Sequence, residues 1–347
     1  MALFLDGPLP LEDTIVYTQG IPLPSANILS NWFNRKEYDT DEIDFAVIAK
    51  TNRVAKFRNW DGSYWVAPRD TGLEKRVRLL PLGGQLEVGE YERRQQEYKR
   101  FGGTIQQILV DAIYNDLDNL TTYTQNRMEL AWASVLANAG TLTINENGVQ
   151  QQVDYGVPST QVVTPAGALW SNTATSDPLT DLITWRDLWV KQNGNVPFKY
   201  MMSLSTSRQL MMNQTLINAA FGAVWQRTHI TFEDINRVLA PYGLPPMTED
   251  QVYWNFFDVD GVDTEAMPEN KFLFLPENPD TLGFTAWGTP TTVMELNANH
   301  VQVATGAGII GILVREEQPP FLKRTFVDAV ALPVIADPRK MLVATVQ

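Results

Sequence analysis

Gly306, Gly308 and Gly311 fall in the order G-x-G-x-x-G within the stretch VQVATGAGIIGILV (301–314). Where a strand precedes such a run and a helix comes after it, the backbone amides at the helix N-terminus can cradle a pyrophosphate. Val301 and Val303 alternate with polar neighbours and suit the strand. The continuation does not suit the helix. Ile312, Leu313 and Val314 are aliphatic or β-branched, and Pro319-Pro320 stop a helix within two turns. Asp328 lies near the spacing of a ribose-binding acid, but only 36 residues follow Gly311, too few for the remaining strands of such a domain. The pattern reads instead as a glycine-punctuated bend between strands, where missing side chains allow close backbone packing.

A second stretch, DVDGVD (258–263), places three carboxylates within six residues. It lacks the spacing and the closing glutamate of a calcium loop, and Asp260-Gly261 between VYWNFF and KFLFL reads as a hairpin turn. Neither a P-loop nor HExxH nor G-x-S-x-G occurs. There is no cysteine, so disulfides and thiolate centres are excluded, and the only histidines, His229 and His300, read as ordinary polar contacts rather than a metal site. Trp185 and Trp189, four apart on a helical stretch, suit core packing better than ligand stacking. The residues offer no catalytic, cofactor or metal site, and the chain reads as a non-enzyme.

What the residues do carry is an uneven charge. Net charge is −13, with a pI of about 4.7. Between Lys50 and Arg78, eight bases (Lys50, Arg53, Lys56, Arg58, Arg69, Lys75, Arg76 and Arg78) face three acids (Asp61, Asp70 and Glu74). That segment is net +5 and leaves −18 for the rest. An acidic chain gains little from nucleic-acid counterion release, so the basic segment calls for another partner. No apolar run approaches the roughly 20 residues that span a bilayer, and the start, MALFLDGPLP, lacks the basic region of a secretory signal.

The elements around this segment have a distinctive order. Residues 1–45 form a proline-interrupted, acidic arm, with a short helix possible over 26–34. Residues 46–87 read as a long β-hairpin turning at Asp61-Gly62, too polar to build its own core. A charged helix over 88–101 stops at Gly102-Gly103, a candidate hinge. A second helix, Thr104–Asn138, carries Ile113, Leu117, Leu120, Ala131 and Val135 on one stripe that pauses at 121–126. At 1.5 Å per residue it would be about 50 Å long. A hairpin comes next around Asn147-Gly148, then an α+β region over 177–325 and a strand-like tail. Arm and hairpin lack an evident burial partner within the chain. They are expected to bind neighbouring copies, with Phe57, Trp60, Tyr64 and Trp65 as buried anchors and the bases setting register.

This order of parts resembles the HK97-type major capsid fold of tailed bacteriophages: N-arm, extended loop, spine helix, peripheral domain and axial domain. The tail ALPVIADPRKMLVATVQ and the segment FLPENPDTLGFTAWGTP resemble the lambda-like phage major capsid protein E family. The resemblance implies an α+β fold with an N-arm over 1–45, an extended β-hairpin loop over 46–87, and the spine helix with a peripheral-domain hairpin over 88–176. It further implies an axial domain over 177–325 and a C-terminal strand, 326–347, returning to the peripheral domain beside 141–157. It implies hexamers and pentamers of an icosahedral shell around double-stranded DNA, assembled in the host cytoplasm. Scaffolding, portal and decoration proteins are the implied partners, and the virion the final location. No catalytic residue carries over. An encapsulin-like shell is the alternative, and a nucleotide-binding enzyme a weaker one.

Overall fold

The computed structural model of the protein describes residues 2–3, 11–40, 42–48, 72–88, 105–146, 148–222, 227–298, 307–315 and 323–347. The helices are α1 (Leu11–Gly20), α2 (Ile28–Trp32), α3 (Ile105–Ala137), α4 (Pro178–Asn193), α5 (Leu204–Met212), α6 (Gln214–Phe221), α7 (Phe232–Leu239) and α8 (Thr291–Ala298). The strands of the first half are β1 (Ala2–Leu3), β2 (Arg35–Glu37), β3 (Glu42–Ile48), β4 (Gly72–Arg78), β5 (Leu80–Val88), β6 (Thr141–Glu146), β7 (Val149–Asp154) and β8 (Val162–Val163). Those of the second half are β9 (Lys199–Ser203), β10 (Val252–Tyr253), β11 (Phe256–Val259), β12 (Val262–Glu265), β13 (Lys271–Leu275), β14 (Gly283–Gly288), β15 (Ile310–Arg315), β16 (Lys323–Ile335) and β17 (Leu342–Thr345). The chain divides into two compact units, the first of residues 1–43, 77–132 and 284–334, the second of 44–76, 133–283 and 335–347.

The first unit is built on β16. Its thirteen residues let it pair antiparallel with β15 (Ile310 opposite Asp328) and, on its other edge, with β5 (Leu80 opposite Ala331). The sheet runs β1-β15-β16-β14-β2, with β5 beside β16. One face, including Leu82, Leu86, Leu313, Val327 and Ala329, packs on Ile113, Leu117 and Leu120 of α3. Two glycines permit that approach. A Cβ at Gly84 would lie 3.0 Å from Leu120, and one at Gly311 would meet Leu117 at 2.6 Å and also the Thr18 hydroxyl.

The N-terminal segment was expected to lack a partner within the chain, and here the structure differs. Helix α1 packs along β15, with Thr14, Ile15 and Thr18 buried, and Leu29 and Phe33 are buried as well. The cause is the pause in the α3 stripe. Thr121, Thr124, Gln125 and Glu129 are buried despite their polarity, and of these Glu129 meets the backbone of the N-terminal segment. The two Glu129 carboxylate oxygens accept the Leu29 N–H at 2.8 Å and the Ser30 N–H at 2.6 Å. Asn27 Nδ2 donates to Asn126 Oδ1 at 3.0 Å. Helix α2 has no side-chain N-cap of its own, and Glu129 satisfies two of its orphan amides. Phe33 then stacks on Trp132 at 3.6 Å and 6°, and Trp132 Nε1 donates to Thr285 Oγ1 at 2.8 Å.

The second unit is organised by β13, KFLFL. Its Phe272–Leu275 run is buried, as a central strand requires, and it pairs with β9 on one side and β17 on the other. The sheet order is β10-β9-β13-β17-β8. Trp170, Trp185, Trp189, Tyr200, Phe272 and Phe274 form its aromatic core, so the two tryptophans four apart on α4 are packing residues. Asp177 caps α4, and Thr231 and Asp234 close a capping box on α7. Trp170 Nε1 donates to Asp181 Oδ2 at 2.9 Å; burial pushes that carboxyl above the ordinary aspartate range, against the pull of this bond and of the Ala166 N–H.

Three expected boundaries change. The C-terminal strand does not return to the 141–157 hairpin: β17 lies between β13 and β8, while β6 and β7 pair with each other. The hairpin is polar on most positions, whereas LVA in β17 is fully buried beside Phe272 and Phe274. Within the expected region 177–325 the second unit stops at Gly283, and β14, α8 and β15 belong to the first unit. The expected 46–87 hairpin ends near Arg78, because β5 leaves it for β16.

Candidate functional site

Of the segment expected to bind neighbouring subunits, only the base lies within the described residues. Strands β3 and β4 pair as a two-stranded sheet of their own. Ile43, Val77 and Leu79 are buried and fix its root, and Gly288 makes room, since a Cβ there would meet Leu79 at 2.8 Å. Across the strands Arg76 grips Asp44 with two bonds, Nε to Oδ1 at 2.7 Å and Nη2 to Oδ2 at 3.1 Å. The Arg76 hydrogen bond holds the Asp44 carboxyl below its ordinary range. Both side chains are about two-thirds exposed (66% and 64%), so the pair aligns the strands more than it strengthens them. Arg78 is exposed, and Lys75 has its backbone in β4. Lys50, Arg53, Lys56, Phe57, Arg58, Trp60, Tyr64, Trp65, Arg69 and the Gly102-Gly103 pair lie outside the described residues.

The glycine motif resolves against a nucleotide. Gly306 lies outside the described residues, and beyond Gly308 the chain enters β15, a strand rather than a helix. Gly308, at φ +120°, sits against the Arg35 guanidinium, which a side chain there would strike. Arg35 donates to the Ala307 carbonyl at 3.3 Å and lies 4.7 Å from the centre of the Trp287 ring. Burial lowers its pKa, opposed by Glu37. The DVDGVD stretch is the β11–β12 hairpin: Asp260 and Gly261 take φ of +54° and +83°, the signature of a type I′ turn. Among the described residues no group of three His, Asp or Glu could hold a metal ion, and no helix is long and apolar enough to cross a membrane. Trp254 and Phe256, at and before the start of this hairpin, are exposed aromatics that the reading of VYWNFF as a strand did not single out.

The family model described as phage major capsid protein E matches residues 24–346. No match was found among curated proteins. A crystal structure from E. coli CFT073, described as a prophage capsid protein, shares 15% identity over 96% of this chain and 97% of that one, with a TM-score of 0.60. A phage-related protein from Bordetella bronchiseptica RB50 shares 12% over 95% and 94%, at 0.55. The capsid structure of the cyanophage P-SCSP1u shares 9% over 90% and 86%, at 0.50. At such identities a structural likeness speaks for the fold, which is the α+β HK97 type, and the family match speaks for descent. The two agree over nearly the same residues, and the chain therefore belongs to the phage major capsid protein E family.

Proposed function

We infer that this phage major capsid protein, a virion component that assembles from copies of itself, builds the hexamers and pentamers of an icosahedral shell enclosing double-stranded DNA. One observation carries the manner of assembly: a +5 segment over 50–78, in a chain otherwise −18, is entered and left through the two-stranded β3–β4 sheet. That segment lies over acidic surface of an adjacent copy. Its bases set register and encounter rate, and Phe57, Trp60, Tyr64 and Trp65 supply the desolvated contacts. A standard interface buries about 800 Å² per partner, and several such contacts per subunit multiply through closure of the shell. The role is structural rather than catalytic.

Assembly takes place in the host cytoplasm with scaffolding and portal proteins, and a decoration protein joins the finished shell. Gly102-Gly103 serves as the hinge when a precursor shell expands around entering DNA. The acidic remainder of the chain gains nothing from gripping packaged duplex, which suits an inner wall.

Reversing Arg53, Lys56 and Arg58 to Glu is expected to abolish shells in electron micrographs while the thermal melt of the subunit is unchanged. Normal shells from that variant remove the proposed ribbon contact. Alanine at both Gly102 and Gly103 is expected to trap the precursor size, read by sedimentation after DNA entry; full expansion would leave the glycines as a plain helix stop.

A further inference from the structure

Within the second unit, charge is sorted into two surfaces. Residues 251–270 hold five acids and no Lys or Arg, and residues 204–232 hold Arg208 and Arg227 and no Asp or Glu. The first stretch contains the β11–β12 hairpin. In its register Asp258 stands directly opposite Asp263, a like-charge pair that destabilises a hairpin unless a cation meets it. On the same face as Asp258, Phe256 is 60% exposed, and Trp254, two residues earlier, is 66% exposed. Large aromatics held this far into solvent beside paired carboxylates cost a lone subunit and suit an interface.

The second stretch forms α5, α6 and the segment after them. Arg208 and Met212 are one helical turn apart on α5, and both are exposed. Arg227 is exposed and lies 4.0 Å from the centre of the Phe221 ring. Its segment is tied to the end of α5 by the Ile230 N–H donating to the Met211 carbonyl at 3.0 Å. This stretch thus offers two cations and apolar contacts, with no carboxylate of its own between 204 and 232. The exposure of both surfaces means they do not cover each other within one subunit.

We propose that the β11–β12 hairpin of one copy docks on the α5–α6 face of the next, with Asp258 and Asp263 meeting Arg208 and Arg227, and Trp254 and Phe256 covering Met212 and Phe221. The two surfaces differ, so the contact is head to tail, and repetition around an axis closes a ring. It deepens the shell reading above and rests on it.

The chain has no cysteine, so paired substitutions report contact cleanly. In oxidised particles Phe256→Cys with Met212→Cys gives a covalent ladder from dimers upward, and either variant alone gives none. Asp258→Arg with Asp263→Arg lowers shell yield by at least about tenfold, as does Arg208→Glu with Arg227→Glu, while the four together restore it. Thermal melts of the unassembled variants confirm that they remain folded. Assembled particles that show no ladder, or hairpin reversals that assemble like the parent, overturn this contact and leave the shell reading standing. A parent protein that forms no shell removes the shell reading itself.

Discussion

Glu129→Ala is expected to lower the unfolding free energy of the unassembled subunit by about 3–5 kcal/mol, read as a fall in the urea midpoint at unchanged m-value. The carboxylate is fully buried, and it holds the Leu29 and Ser30 amides with both oxygens. A hydrogen bond to a charged group contributes roughly 1.5–3 kcal/mol net, and alanine removes two while leaving their donors buried. Glu129→Gln keeps one good acceptor and should lose about half as much. The surroundings add to the dependence. Ser30 Oγ, Thr121 Oγ1 and Gln125 Oε1 are buried nearby in sequence without partners of their own, so this polar seam is held by few bonds. A loss below about 1 kcal/mol would mean that the segment over 27–33 is not held through Glu129.

Trp132→Ala is expected to cost a similar amount, about 3–5 kcal/mol, for a different reason. The indole is wholly buried, stacks on Phe33 and donates to Thr285. Its removal opens a cavity beside α3, exposes one face of Phe33 and leaves the Thr285 hydroxyl without its donor. Because one ring stacks on the other, Phe33→Ala in the Trp132→Ala background should cost less than in the parent, by roughly 0.5–1.5 kcal/mol. Strict additivity in a double-mutant cycle would show that the stack carries no coupling. Glu129 and Trp132 lie three residues apart on α3 and hold the same N-terminal segment, so their effects should couple as well.

Both predictions concern a segment that charge and proline content assigned to a neighbour. It is instead bound within its own first unit. Each subunit thus holds two cores of its own.

Where local chemistry decides an element, the sequence was a sufficient guide. Asp177-Pro178 starts a helix because an N-cap before a proline can do little else, and Phe232–Leu239 is a helix with its capping box. Asp260-Gly261 turns a hairpin because both residues tolerate positive φ. The long helix arises from its apolar period, and GAGIIG was disqualified by the aliphatic run behind it, which is strand β15. The family was legible in the order of elements and in the tail, and the matching family model spans 24–346.

What only the tertiary structure decided was who pairs with whom. Residues 342–345 read as a strand, but nothing local distinguishes β13 from the 141–154 hairpin as its partner; the aromatic face of KFLFL settles that through burial. The pause at 121–126 shows little apolar surface in the sequence, yet Thr121, Thr124 and Gln125 are buried, and Asn126 and the neighbouring Glu129 bond a segment about 100 residues away in the chain. Periodicity registers whether a side chain is apolar. It carries no record of a distant amide that makes a buried carboxylate favourable, and so the sequence determined the elements while long-range pairing determined their places.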